Sequence, residues 1–130
     1  AGINWVSQAS FEPPLVMVGA KADSDTHAII KRTGTFALSV LAEDQLDIGK
    51  SFFRPTVVED DTLNGYRFAR GPETGAPYLL DLPFWFEARV VDTIERGDHT
   101  IFVGEVVGAG VHDEEATPLL LRSTGMFYGG

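Results

Sequence analysis

The 130-residue chain has no cysteine, which removes disulfides, thiol catalysis and thiolate metal sites together. That absence is compatible with a reducing cytoplasm, the compartment expected for it. Basic residues are scarce: 10 Lys and Arg stand against 19 Asp and Glu, a formal net charge of -9. Such a surface repels phosphate backbones and anionic lipid, so no nucleic acid and no membrane is expected as a partner. No apolar run approaches the ~20 residues that span a bilayer, and no signal-peptide pattern is visible. The three His residues include no i, i+4 pair of the kind that makes a helical metal site, and no G-x-S-x-G is present to suggest a serine nucleophile. The acidic triplet Glu59-Asp60-Asp61 reads as a solvated charge run, because three adjacent carboxylates cannot converge on one ion without other ligands; no metal site is expected.

What is present is an apolar fraction of 44%, enough for one folded domain over residues 1–130 that buries roughly two-thirds of its unfolded surface. The stretch Ile3 to Thr26 organises the rest. From Trp5 to Phe11 the residues alternate, with Trp5, Ser7, Ala9 and Phe11 on one side and Val6, Gln8 and Ser10 on the other, which predicts a strand with one small, polar wall. Pro13-Pro14 must interrupt the ladder, since neither ring carries an N–H. Leu15 to Ala20 is an unbroken apolar run that predicts a strand buried on both faces. Lys21 to Asp25 then forms a polar loop ahead of a short helix, capped by Asp25 or Thr26, ending at Thr33 with Gly34 as its C′ residue, and offering Ala28, Ile29 and Ile30 to the core. Free N–H groups, hydroxyls and a cation at that helix start suit one anion such as a phosphate, although the same residues also suit a plain N-cap.

Further along, Phe36 to Leu41 predicts a third strand and Glu43 to Phe53 a second helix, in which Leu46, Gly49 and Phe53 share a face and Arg54-Pro55 forms the stop. Thr56 to Pro77 has no sustained period and reads as loop, with a helical turn near Leu63. Phe84 to Ile94 and His99 to Val107 predict a long hairpin across Glu95-Arg96-Gly97-Asp98, with Gly97 at positive φ. His112 to Pro118 reads as an acidic turn, Leu119 to Leu121 as a short strand, and Arg122 to Gly130 as a tail carrying Phe127 and Tyr128. No internal repeat is evident.

Two separated motifs carry a resemblance. The run Asn4-Trp5-Val6-Ser7-Gln8-Ala9-Ser10-Phe11-Glu12-Pro13-Pro14-Leu15-Val16 and the downstream Gly97-Asp98-His99-Thr100-Ile101-Phe102-Val103-Gly104-Glu105-Val106 together resemble the flavin reductase family with the FMN-binding split barrel, over about Gly2 to Tyr128. The resemblance implies a mainly β fold, a Greek-key split β-barrel of about six strands with two or three short helices. It also implies a homodimer with the flavin pocket at or beside the subunit interface. By the same comparison, the segment supplying the first barrel strand is expected to precede Ala1.

The activity implied is NAD(P)H:flavin oxidoreduction, with FMN, or alternatively FAD, taking hydride from NADH or NADPH and then serving a partner oxygenase, another acceptor or oxygen. A non-catalytic FMN-binding electron carrier on the same barrel is the rival reading, and a pyridoxamine-phosphate-oxidase-like enzyme a third, whose basic phosphate residues are not found. Carried over position by position, Asn4, Trp5, Ser7, Gln8 and Ala9 would line the isoalloxazine, Lys21, Ser24 and Thr26 would hold the phosphate, and Ser51 and Phe52 would touch the ring or ribityl chain. His99, in the Gly-Asp-His triplet, would act on the nicotinamide side, or else serve the turn structurally. Relatives often have Asn-Ser where this chain has Asn4-Trp5, which leaves open whether Trp5 stacks near the flavin or packs elsewhere. His27 and His112 match no motif.

Overall fold

A computed structural model describes residues 1–130, folded mainly as β structure in two sheets with few helices. The first sheet has the order β1-β2-β9-β8-β3, built from β1 (Val6–Ser10), β2 (Leu15–Lys21), β3 (Thr35–Val40), β8 (Phe84–Glu95) and β9 (His99–Val111). All four of its pairings are antiparallel. The long β8–β9 hairpin is its spine: β9 carries β2 on one side, Lys21 opposite His99 and Val18 opposite Phe102, while β8 carries β3 on the other.

Alternation along these strands sets the core. Val18, Ala20, Phe36, Ala88 and Phe102 point inward and join Ile30 of the helix α1 (Asp25–Thr33) in one apolar cluster. The reading of β2 as buried on both faces is corrected: Val18 and Ala20 are buried, but Met17 on the opposite face is 40% exposed. An antiparallel sheet needs only one covered face, and α1 covers this one. Within α1 only Ile30 is buried, and Ile29 lies out in solvent. The N-cap is Ser24, one residue before the expected Asp25 or Thr26; its Oγ accepts from the His27 N–H at 3.1 Å. Gly34 closes the helix in the left-handed region at φ 69°. The second helix, α2 (Leu46–Ser51), is shorter than expected, because the Gln45 side chain is spent on the Ala42 N–H and leaves the first turn uncapped.

The segment expected as loop holds the second sheet, of order β4-β5-β6-β7: β4 (Val58–Glu59), β5 (Thr62–Leu63), β6 (Tyr66–Arg70) and β7 (Pro77–Leu79). The turn expected to be helical near Leu63 is therefore strand. Elements two residues long have no period to read and exist through their cross-strand bonds. The β8–β9 connection reverses without a positive φ at Gly97, contrary to expectation; a connection longer than two residues does not need the left-handed turn geometry. The expected strand at Leu119–Leu121 is instead a single bridge between Ala42 and Pro118, followed by a 3₁₀ turn over Leu121–Ser123. No helix is long and apolar enough to cross a membrane.

Glu87, fully buried on β8, ties the sheets together. Its carboxylate accepts from the Thr74 N–H and Oγ1–H, each at 2.7 Å, and from the Glu73 N–H, all in the turn between β6 and β7. Gly71 and Gly108 flank it so closely that any Cβ there would overlap the carboxylate. Glu87→Gln puts an NH₂ among those donors and is expected to lower stability by about 1–3 kcal/mol. An unchanged denaturation midpoint at unchanged slope would contradict this role.

Candidate functional site

The faces of the first sheet divide cleanly. Val18, Ala20, Thr100 and Phe102 are buried, so their strand neighbours Met17, Gly19, Lys21, His99 and Ile101 lie on the opposite, open face. Trp5, just ahead of β1, continues the ladder through its carbonyl, which accepts from the Gly19 N–H at 2.8 Å. Its indole lies across Gly19, where a Cβ would come within 3.0 Å of Cε3. Glycine at this point of β2 thus lets the indole reach His99, with ring centroids 4.2 Å apart.

His99 is held on both nitrogens. Nδ1 faces Asp98 Oδ1 at 2.9 Å, and Nε2 faces the Tyr128 hydroxyl at 2.6 Å. The hydrogen bond from His99, followed by the charge attraction between the two side chains, holds the Asp98 carboxyl below its usual range. An ionised Asp98 can only accept, so the contact is a donation from His99 Nδ1–H. Tyr128 also stands edge-on to Trp5 at 5.5 Å and to His99 at 5.6 Å. Next to it, the Gly129 N–H donates to Asn4 Oδ1 at 2.7 Å.

A cleft of about 470 Å³ opens beside this aromatic group, and its walls include Thr26, Ser24, Phe52, Arg54 and the tail from Tyr128 to Gly130. Three expected site residues, Ser24, Thr26 and Phe52, therefore meet in one place. Arg54 adds a cation there that sequence reasoning treated only as a helix stop; its position two residues past Phe52 was the available signal. Lys21 lies outside the cleft walls, paired with Asp23 at 3.7 Å. The Ser24 hydroxyl already has two tasks, accepting from His27 N–H and donating to the Lys21 carbonyl at 2.7 Å. Ser51 Oγ donates to the Ile48 carbonyl, and its own carbonyl accepts from Asn64 Nδ2.

On β1, Ser7 shares the open side with Trp5, and Gln8 alternates to the other. Ala9 sits where the register slips, so it is the extra residue of a bulge. The strand pairs only with β2, leaving the backbone donors and acceptors of its other edge free. A flat ring with a polar edge fits such an edge strand, and a phosphate fits a cleft holding Thr26 and Arg54. The other two histidines have structural tasks: His27 Nε2 bonds Thr100 Oγ1 at 2.8 Å, and His112 Nδ1 donates to the Leu82 carbonyl at 2.9 Å. Tyr128 was missed because its contact with His99 spans 29 residues and has no local pattern.

Comparison with known proteins identifies the family. The family model described as flavin reductase like domain matches residues 1–130. The chain is 31% identical over 127 residues to the NADH-dependent flavin reductase StyB of Pseudomonas fluorescens, covering 98% of this chain and 71% of that one. Among solved structures it superposes on the NADH:FAD oxidoreductase SgcE6 of Streptomyces globisporus with a TM-score of 0.79 at 30% identity, covering 89% and 69% of the two chains. It also superposes on BorF, the flavin reductase component of a bacterial two-component tryptophan halogenase, with a TM-score of 0.74 at 29% identity, covering 90% and 79%. The chain spans smaller shares, 64% and 32%, of two other curated relatives.

Proposed function

Because the chain belongs to the family of flavin reductase-like domains, we propose that it is an NAD(P)H-dependent flavin reductase, with NADH the preferred donor and FMN the preferred flavin. The observation that carries this reading is the meeting of Trp5, Asn4 and His99 with a cleft holding Thr26, Phe52 and Arg54. When bound, the flavin supplies the hydride acceptor, so the protein needs no covalent nucleophile and no catalytic base. The edge of β1 offers backbone groups to the ring's polar rim. Thr26 and Arg54 offer a hydroxyl and a guanidinium to the phosphate, giving a chain of charge -9 a local positive potential. His99 orients the dinucleotide through hydrogen bonding, and Phe52 limits water in the cleft.

The architecture we infer is a Greek-key split barrel. It is supported by β2 pairing with β9 and not with its sequence neighbour β3, and by the Leu79 N–H donating to Ser39 Oγ, which links the two sheets. The preference for NADH is supported by the names of the relatives, and a partner oxygenase or other acceptor for the reduced flavin by the reductase component BorF. The protein is also proposed to be a homodimer, supported by the half-exposed Trp5 and Met17 on the open face of the first sheet. Light scattering at micromolar concentration should give twice the 14.1 kDa of one chain; a mass of one chain removes the dimer.

Anaerobic addition of NADH to the FMN-loaded protein tests the activity. Bleaching of the flavin absorbance is the expected result. An unchanged spectrum would make the protein a non-catalytic flavin carrier, and failure to take up FMN would exclude both.

A further inference from the structure

The tail after the 3₁₀ turn forms no regular element, and its outermost side chain, Phe127, is 92% exposed. Tyr128, the next residue, turns inward instead. Two hydrogen bonds hold this segment, from Gly129 N–H to Asn4 Oδ1 and between the Tyr128 hydroxyl and His99 Nε2, helped by the edge contacts with Trp5 and His99. So few anchors make a segment that opens at small cost.

Its position is chemically specific. Nδ1 of His99 is committed to Asp98, so Nε2 is the nitrogen through which His99 can address a ligand, and the Tyr128 phenol occupies it. In the tautomer that puts the ring proton on Nδ1 toward Asp98, the phenol meets Nε2 as an O–H donor. A primary carboxamide offers an N–H donor of the same sense, and so could replace the phenol without changing which ring nitrogen carries the proton. We propose that Tyr128 is a displaceable occupant of the nicotinamide subsite: its hydroxyl stands where the carboxamide N–H of the dinucleotide binds, and the tail must swing out for that ligand to enter. The proposal rests on the reading of His99 as a dinucleotide contact.

Tyr128→Phe keeps the ring against Trp5 and deletes only the competing donor. Calorimetry of NAD⁺ binding to the FMN-supplemented protein, in which no hydride moves, should then show binding about 2- to 10-fold tighter than in the unaltered protein, the worth of one neutral hydrogen bond. The same change should appear in KM for NADH. In a His99→Ala background, Tyr128→Phe should have no further effect, because the contested nitrogen is gone. Equal or weaker NAD⁺ binding by Tyr128→Phe overturns the proposal. If His99→Ala weakens NAD⁺ binding while Tyr128→Phe changes nothing, the tail's role fails and His99 keeps its own; if both are silent, the placing of His99 at the dinucleotide fails as well.

Discussion

His99→Ala is expected to lower kcat/KM for NADH by about 5- to 150-fold while flavin affinity changes far less. The range corresponds to losing one or two hydrogen bonds to the dinucleotide, on the order of 1–3 kcal/mol in the barrier. The side chain is 15% exposed and its ring is fixed through Nδ1 by Asp98, so once Tyr128 leaves Nε2 the imidazole is already oriented toward a ligand. In the proposed site, flavin retention falls to other groups, the β1 edge and the cleft walls. The structural alternative is also testable, because His99 joins Asp98, Trp5 and the tail. If that is its whole task, the alanine variant melts earlier and is reduced by NADH at the unaltered rate. Measuring FMN dissociation, thermal midpoint and anaerobic reduction on this one variant separates the two. Lower stability with an unchanged reduction rate would take His99 out of the site.

Arg54→Ala combined with Thr26→Ala should weaken FMN by about 10- to 150-fold and riboflavin hardly at all, since only FMN carries a phosphate. A charge-assisted hydrogen bond is worth roughly 1.5–3 kcal/mol, and Arg54 contributes a guanidinium to the cleft walls. Ser24→Ala is the informative control. Its hydroxyl caps α1, so its loss should cost about 1 kcal/mol of stability, with a smaller effect on the FMN-to-riboflavin ratio than the double variant. Equal weakening of FMN and riboflavin by the double variant would move the phosphate elsewhere, with Lys21 the next cation to examine.

Much of the first sheet was legible because its strands are long enough to show a period. Leu15 to Ala20 showed as an apolar run of strand length, the 84–111 hairpin is long enough to show its strands, and the proline pair marks the break between β1 and β2. The second sheet was not legible, because β4 and β5 have two residues each and are specified by pairing across Asp60 and Asn64, both at positive φ. The site divided in the same way. The residues of the β1 motif and the Gly-Asp-His triplet were local in sequence, and the structure does bring Asn4, Trp5 and His99 together through the tail. Tyr128 was invisible, and Arg54 was passed over despite its nearness to Phe52, because their relevance comes from where the tail and α2 end in space. Ser24 was read as a ligand group or a cap, and it is the capping contact that the geometry displays.

The carboxylate of Glu87 also constrains the order in which the molecule assembles. The turn at Glu73 and Thr74 is made early by the ribosome, yet its acceptor arrives 13 residues after Thr74, and the wall formed by Gly108 comes later still. Until β8 and β9 are laid against each other, the turn has no buried carboxylate to bind, so this contact between the sheets is completed only with the long hairpin. In the finished protein the dependence runs the other way as well: the Thr74 amide proton, sealed against a buried anion, should exchange with solvent only when the long hairpin itself comes apart.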